Sequence, residues 1–195
     1  MLFRLIAVFG CVVIFINGCN SLISQFVGTH KLRTHEMAEI VQNGLGDADY
    51  VEINNAWTTG DFIYAPPVRT QKKGLIIFPI LSEEQMKQHE RGEAVKVQLM
   101  AWSEDYTQEC LDAKTCMPKQ KMTIMGIMRD IPKEKNKVDE FSSEQYQLSE
   151  NMFFMEKDRA PLEWYYNLAI MLGVLALGFG IEYYNLKKSK VKSNE

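Results

Sequence analysis

The sequence predicts a mainly β, α+β domain, an OB-like five-stranded barrel with one interposed helix, flanked by two transmembrane helices. Three observations carry this. Long apolar stretches stand at both ends, short β-type segments recur between them, and a serine-capped helical stretch follows the third of those segments.

The chain opens "MLFRLIAVFGCVVIFINGCNSLISQF", with Arg4 ahead of an unbroken apolar run over residues 5–16. Twelve residues fall short of the about 20 that a full span needs. Two readings stand. "INGC" ending at Cys19 looks like a lipoprotein processing box, with Ile16 at −3 and Gly18 at −1, and makes Cys19 a lipidation site. Alternatively the helix runs on through "NGCNSLISQF", and residues 1–28 are an uncleaved anchor. The second is favoured, because a lipid chain is redundant beside a genuine span at the other end.

Residues 29–162 form the central domain. "THKLRTHEMAEIVQNGLG" spaces Leu32, Met37, Ile40 and Val41 as a short amphipathic helix does and ends at glycines. "DYVEINNAW" alternates as a strand, "TTGD" turns it into "FIYA", and after "PPV" and "KKG" comes "LIIFPIL", the strongest strand of the chain. "SEEQMKQHERG" then opens on a serine cap with acids behind it and closes on Gly92. "EAVKVQLMAW" and "KMTIMGIMRD" supply two more strands, giving the order strand, strand, strand, helix, strand, strand. Residues 130–150 are polar and charged and are expected to be a long mobile loop. "MFFM" beyond them is an apolar knot at the domain's edge.

The second hydrophobic helix covers residues 163–186. Trp164, Tyr165 and Tyr166 form an aromatic belt at one edge, and Tyr183 and Tyr184 at the other. Residues 187–195 are a basic tail carrying Lys187, Lys188, Lys190 and Lys192, and together with Arg4 they place both termini in the cytoplasm. The expected location is therefore the bacterial inner (cytoplasmic) membrane, with the central domain periplasmic or extracellular. Glu182 is expected to be a solvated interface residue. Ala169, Gly173, Ala176 and Gly180 share one helix face, and Ala7, Cys11 and Gly18 make a rougher stripe on the first helix. Such faces suit pairing of the two helices, a membrane-protein partner, or self-association, although high glycine content is also usual in membrane helices.

Over residues 20–162, 17 Lys and Arg stand against 22 Asp and Glu, a net charge of −5. That balance gives no footprint for nucleic acid. Cys110 and Cys116 are the central domain's two cysteines, and in an oxidising compartment "CLDAKTC" closes a small disulfide loop.

No nucleophile elbow, H-E-x-x-H, phosphate loop or dinucleotide fingerprint is present, so no catalytic set is assigned. The three histidines, His30, His35 and His89, hold no position that invites a triad. Met117, Met122, Met125 and Met128 crowd into "MPKQKMTIMGIM"; thioethers bind Cu(I), but methionines also fill cores. Strand geometry puts Met122 and Met128 on one face and Met125 on the other, so a copper site needs Met117, His89 or the cysteines as well. Trp57, Trp102, Asp105 and Tyr106 either line a ligand cleft or close the core. Asp61, Glu104 and Asp105 read first as solvated loop carboxylates, and second as a calcium or acid/base group.

The layout, an N-terminal helix, a β-rich domain of this size and a returning C-terminal helix, resembles the Surfeit-locus family of terminal-oxidase assembly factors. That family's glycine-tryptophan element is missing, since "LIIFPIL" runs into a helix instead. The β order with its helix is also similar to GIDE-type membrane domains, without the zinc-binding RING of the ligases that carry them. The expected function is a non-enzymatic membrane-anchored binding or assembly protein that docks a membrane-complex partner, because two spans account for both ends and no catalytic set is assembled; the alternative is a copper or redox cofactor handler using the methionines with Cys110 and Cys116, and an enzyme acting on envelope material comes third.

Overall fold

The computed structural model describes residues 2–68, 73–133, 136–142 and 145–193. In chain order its elements are α1 (Leu2–Phe26), β1 (Arg33–Glu36), α2 (Met37–Asn43), β2 (Tyr50–Thr58), β3 (Ile63–Ala65), β4 (Leu75–Ile80), α3 (Glu83–Glu90), β5 (Val95–Ser103), α4 (Gln108–Ala113), β6 (Gln120–Met128), β7 (Tyr146–Lys157) and α5 (Trp164–Ser193), with a 3-10 turn at Val138–Phe141. They form two compact units: Met1–Lys31 with Pro161–Glu195, and Leu32–Ala160.

In the first unit α1 and α5 each contain a stretch long and apolar enough to cross a membrane, Arg4–Phe26 and Trp164–Lys187. α1 is continuous through Cys19, which lies half-buried in mid-helix. The two helices pack antiparallel. Cys11 faces Gly178, Gly18 faces Met171, and Asn167 donates to Ser21 Oγ at 2.9 Å. At the other end Arg4 binds Glu182 through Nε, at 2.9 Å, and through Nη2. Glu182 is thus ion-paired instead of merely solvated.

The face of α5 that meets α1 is not the one carrying Ala169, Gly173, Ala176 and Gly180. Those four are exposed, and a Cβ at Gly173 or Gly180 would meet nothing within 4 Å. The physical reason lies in the polar pairs. An unpaired amide or carboxylate on an apolar helix costs more than the packing difference between two small-residue faces, so Asn167 and Glu182 select the rotation.

The second unit holds one seven-stranded sheet, ordered β1-β2-β6-β7-β5-β4-β3. It is a mixed α+β unit, and its sheet is open. The OB-like five-stranded barrel expected from the order of the segments is met in part: the unit is mixed α+β, but its sheet has seven strands and does not close. β1 and β7 are the two strands the sequence hides. β1 sits where a single helix was expected from residue 29, because Glu36 is still extended (φ −87°, ψ 137°) and α2 begins only at Met37. It pairs parallel with β2, Arg33 against Val51 and Glu36 against Asn54.

β7 starts at Tyr146, inside the stretch 130–150 that reads as a loop. Its polar residues belong to a half-exposed strand with a bulge. Between Val97↔Leu148 and Leu99↔Phe153, β5 has one intervening residue and β7 has four. Upstream, Ile131, Val138 and Phe141 are buried and tie that segment to the core.

β2 shows the alternation expected of it, with Val51 and Ile53 buried, until Asn55 takes a left-handed conformation (φ 53°) and shifts the register against β6. Asparagine tolerates that region, and the bulge returns Ala56 and Thr58 to the buried side.

All six residues of β4 are buried, as "LIIFPI" requires of a strand covered on both faces. Pro79 lies within it. Leu81, two residues on, exchanges backbone hydrogen bonds with Trp57 at 2.8 and 2.9 Å, so Pro79 turns its missing N–H toward that same side, beyond the end of β3 at Ile63↔Ile77. No ladder bond is lost there, and the strand tolerates the proline.

Two apolar clusters result, one on each face. The first gathers Met37, Ile40, Val51, Ile53, Phe78, Ile124 and Met155, and the second Leu75, Ile77, Met86, Val97, Met100, Trp102 and Phe141.

Candidate functional site

The β2–β3 connection and α4 form the two walls of a cleft of about 540 Å³, lined by Gly60, Asp61, Phe62 and Tyr64 on one side and Gln108, Leu111, Asp112 and Lys114 on the other. Each wall is braced by a different device.

Gly60 (φ 95°) turns the chain out of β2 and presents Asp61, whose side chain is 54% exposed. Behind it the Tyr146 hydroxyl, from β7, donates to Asp61 Oδ2 at 2.6 Å and lies 2.9 Å from Thr59 Oγ1. Tyr146 is buried, with His89 of α3 stacked on its ring (centroids 5.2 Å apart) and Phe141 edge-on at 5.8 Å. His89 Nε2 lies 3.9 Å from Asp61 Oδ2, and among the described residues its buried Nδ1 has no partner. Two elements, β7 and α3, thus converge on one carboxylate.

Burial, and then the hydrogen bond to Asp61, push the Tyr146 phenol well above its ordinary pKa of 10. An acid held protonated by the fold contributes stability that is fully present below its unfolded pKa and is lost as pH rises through the folded one. The wild type is therefore expected to lose more thermal stability between pH 8 and pH 11 than Tyr146→Phe does. Equal losses in the two proteins would remove Tyr146 from that role.

On the next stretch of the same wall, Tyr64 meets Tyr106 edge-on (5.5 Å), and the Tyr106 hydroxyl accepts the Gly74 N–H at 2.9 Å. Gly74 is required there, because a Cβ would come within 2.5 Å of Ala65 O.

The opposite wall is α4. Thr107 Oγ1 caps it by accepting from Cys110 N at 3.2 Å, and Lys114 ends it in a left-handed conformation (φ 55°, ψ 39°). Cys110 and Cys116 are joined in a disulfide, Cα atoms 4.7 Å apart. So short a loop removes a modest chain entropy from the unfolded state, about 2 kcal/mol. The Cys110→Ser/Cys116→Ser protein is expected to melt earlier by that amount, and a melting curve in detergent reads it.

The residues singled out in the sequence do not share one wall. Trp102 is buried in the second cluster and donates Nε1–H to Arg129 O at 3.0 Å, whereas Tyr106 packs against the first cluster. Trp57 is half-buried against the second cluster, and its indole N–H has no partner among the described residues. Asp105 is exposed, its backbone N–H held by Ser103 Oγ. Of the two readings, cleft or core, these four share no single cleft, and the cleft described above is lined by Asp61 and Tyr64 instead of the tryptophans. Strand alternation explains this, since Trp102 leaves β5 on the face opposite to the one Tyr106 regains after the turn.

Met117 is buried and Met128 half-buried in the first cluster, Met122 is half-buried, and Met125 points outward to accept the Tyr50 hydroxyl at 3.2 Å. Thr59, His89 and Tyr146 were not visible as a group in the sequence. They are 30 and 57 residues apart, and Tyr146 lies in the polar stretch that hides β7.

Comparison with protein-family models, with curated proteins and with solved structures found no match to this chain.

Proposed function

We propose that this chain is a membrane-anchored, non-enzymatic docking or assembly protein, whose central domain binds a partner while its helices pack in the bilayer. The observation that carries the reading is the arrangement of α1 and α5. Two span-length helices bracket one folded unit in sequence, pair through Arg4–Glu182 and Ser21–Asn167, and leave the Ala169/Gly173/Ala176/Gly180 face uncovered for a second protein or a second copy. Retention of α1 as an uncleaved span belongs to this reading, because cleavage at Cys19 would remove Arg4 from Glu182 and Gly18 from Met171. So do cytoplasmic termini and a periplasmic or extracellular central domain, on the positions of Arg4 and the lysines from Lys187 onward.

The central domain is read further as an OB-like, partly open barrel of β2, β4, β5, β7 and β6. The parallel β5–β7 pair, the antiparallel β4–β5, β6–β7 and β2–β6 pairs, and the Trp57–Leu81 bridge between the first and second of these strands support that order. β1 and β3 are additions to it.

Native mass spectrometry of the full chain, solubilised in detergent through a C-terminal tag, tests the function. A stoichiometric second protein, retained by the full chain and lost on deleting residues 164–195, is the expected result. A bare chain, or one beginning at a lipidated Cys19, overturns the reading.

A further inference from the structure

The cleft between the β2–β3 connection and α4 carries more than its shape. Asp61 enters it with one oxygen, Oδ2, already fixed by the buried Tyr146, and among the described residues no protein group binds Oδ1. Asp112 stands on the facing wall with Oδ1 held by Gln108 Nε2 at 2.9 Å, and no group among the described residues binds its Oδ2. The same two walls carry the half-buried rings of Phe62 and Tyr64 on the Asp61 side and the side chain of Leu111 on the Asp112 side. Positioned carboxylates in a cleft whose lining is also aromatic and aliphatic suit a planar or tetrahedral cation on an apolar stem, which gains charge-assisted hydrogen bonds, ring contact and burial of its methylenes together. The surrounding chain adds to the field. Glu104, Asp105, Glu109 and Asp112 stand along residues 104–112, with Lys114 as the cation of the rim.

We propose that this cleft is the docking pocket for a basic side chain, arginine or lysine, presented by the partner protein. The inference rests on the docking function above and names the chemistry of its partner. Rigidity favours it. The disulfide and the Thr107 cap hold the Asp112 wall, and Tyr146 with His89 holds the Asp61 wall, so little ordering is left to be done on binding.

The test uses the full chain in lipid nanodiscs and two probes that differ in charge alone, N-acetyl-argininamide and its citrulline counterpart. Ligand-observed saturation-transfer NMR is expected to give at least fivefold more transfer to the arginine probe. In the Asp61→Asn/Asp112→Asn protein the excess should disappear. Asparagine keeps an oxygen for Tyr146 and for Gln108, so the walls remain braced while the charge is removed. Asp139→Asn/Glu150→Gln, which removes the same charge at exposed positions outside the cleft, should leave the excess in place. Equal transfer to the two probes, or equal loss in both double variants, overturns the inference.

Co-purification on the same proteins separates the two readings. A partner fully retained by Asp61→Asn/Asp112→Asn refutes the cleft as its docking pocket and leaves the docking function standing. A chain that shows the arginine preference but purifies without a partner refutes the docking function instead.

Discussion

Gly126→Val is expected to unfold the Leu32–Ala160 unit, or to leave it with only a fraction of its stability. Gly126 pairs with Lys157 where β6 meets β7, and a Cβ there would come far inside van der Waals contact of the Glu156 carbonyl oxygen and lie 2.9 Å from Met155 Cγ. The Met155 side chain has some freedom to shift. The Glu156 carbonyl is backbone in a central strand and has none. Relief therefore requires β6 to move off β7, in a sheet whose two faces are both packed, and the cost is about 3 kcal/mol or more. Against the roughly 5–15 kcal/mol that holds a typical domain, that is a large share. Gly92→Ala is the control. Gly92 needs its positive φ (73°), but nothing lies within 4 Å of the added carbon, so the expected cost is about 1 kcal/mol. Urea denaturation of the three proteins in detergent, followed by near-UV circular dichroism, should rank them wild type, Gly92→Ala, Gly126→Val. Equal midpoints for the two variants would refute the backbone clash.

Phe78→Ala should cost about 3–5 kcal/mol. Phe78 is fully buried and sits on β4, with β5 hydrogen-bonded beside it through Ala101. Its ring belongs to the first cluster, with α2 residues Met37 and Ile40 among the buried members. The surrounding residues come from five strands and a helix, so collapse onto the void would need several elements to move together. That is the circumstance in which a cavity stays open and its full cost is felt. Phe78→Leu, which keeps most of the volume, should cost less than half as much, and the same denaturation series reads both.

The strands with a strong period or an unbroken apolar run were legible. "DYVEINNAW", "LIIFPIL", "EAVKVQLMAW" and "KMTIMGIMRD" all lie on strands, and Ser82 caps α3 as its sequence suggests, accepting from Gln85 N at 3.3 Å. What failed was local in signal and tertiary in cause. β1 has four residues, RTHE, without an alternating apolar pattern, and exists because β2 offers it an edge. In β7, Glu150 and Asn151 sit in the bulge opposite β5 and interrupt the apolar pattern at mid-strand. α4 is six residues long, stabilised by a threonine cap and a disulfide more than by an apolar face.

The site divides in the same way. Asp61 stood out as a loop carboxylate and Tyr106 as an aromatic just beyond a strand. Asp61's actual partner is 85 residues away on the strand that was hidden, and no spacing rule joins them. Asn167 and Glu182 are isolated polar positions in the one apolar helix α5, and their partners Ser21 and Arg4 are 146 and 178 positions distant.

The place of β7 in the sheet bears on how the protein is made. A ribosome delivers β1 through β6 first, yet the strand that joins β5 to β6 is the last of the seven to appear. Until residue 157 has emerged, β5 and β6 each present a bare row of backbone donors and acceptors, and the β1-β2-β6 and β5-β4-β3 groups are joined through the backbone at the Trp57–Leu81 bridge alone. The long-range parallel pairing of β5 with β7 is slow to form, and α5 begins only seven residues after β7 ends. Synthesis of this chain therefore leaves a sticky interval, in which a chaperone or a neighbouring strand has the opportunity to take the vacant central position, and chains cut short before residue 157 should aggregate while slightly longer ones fold.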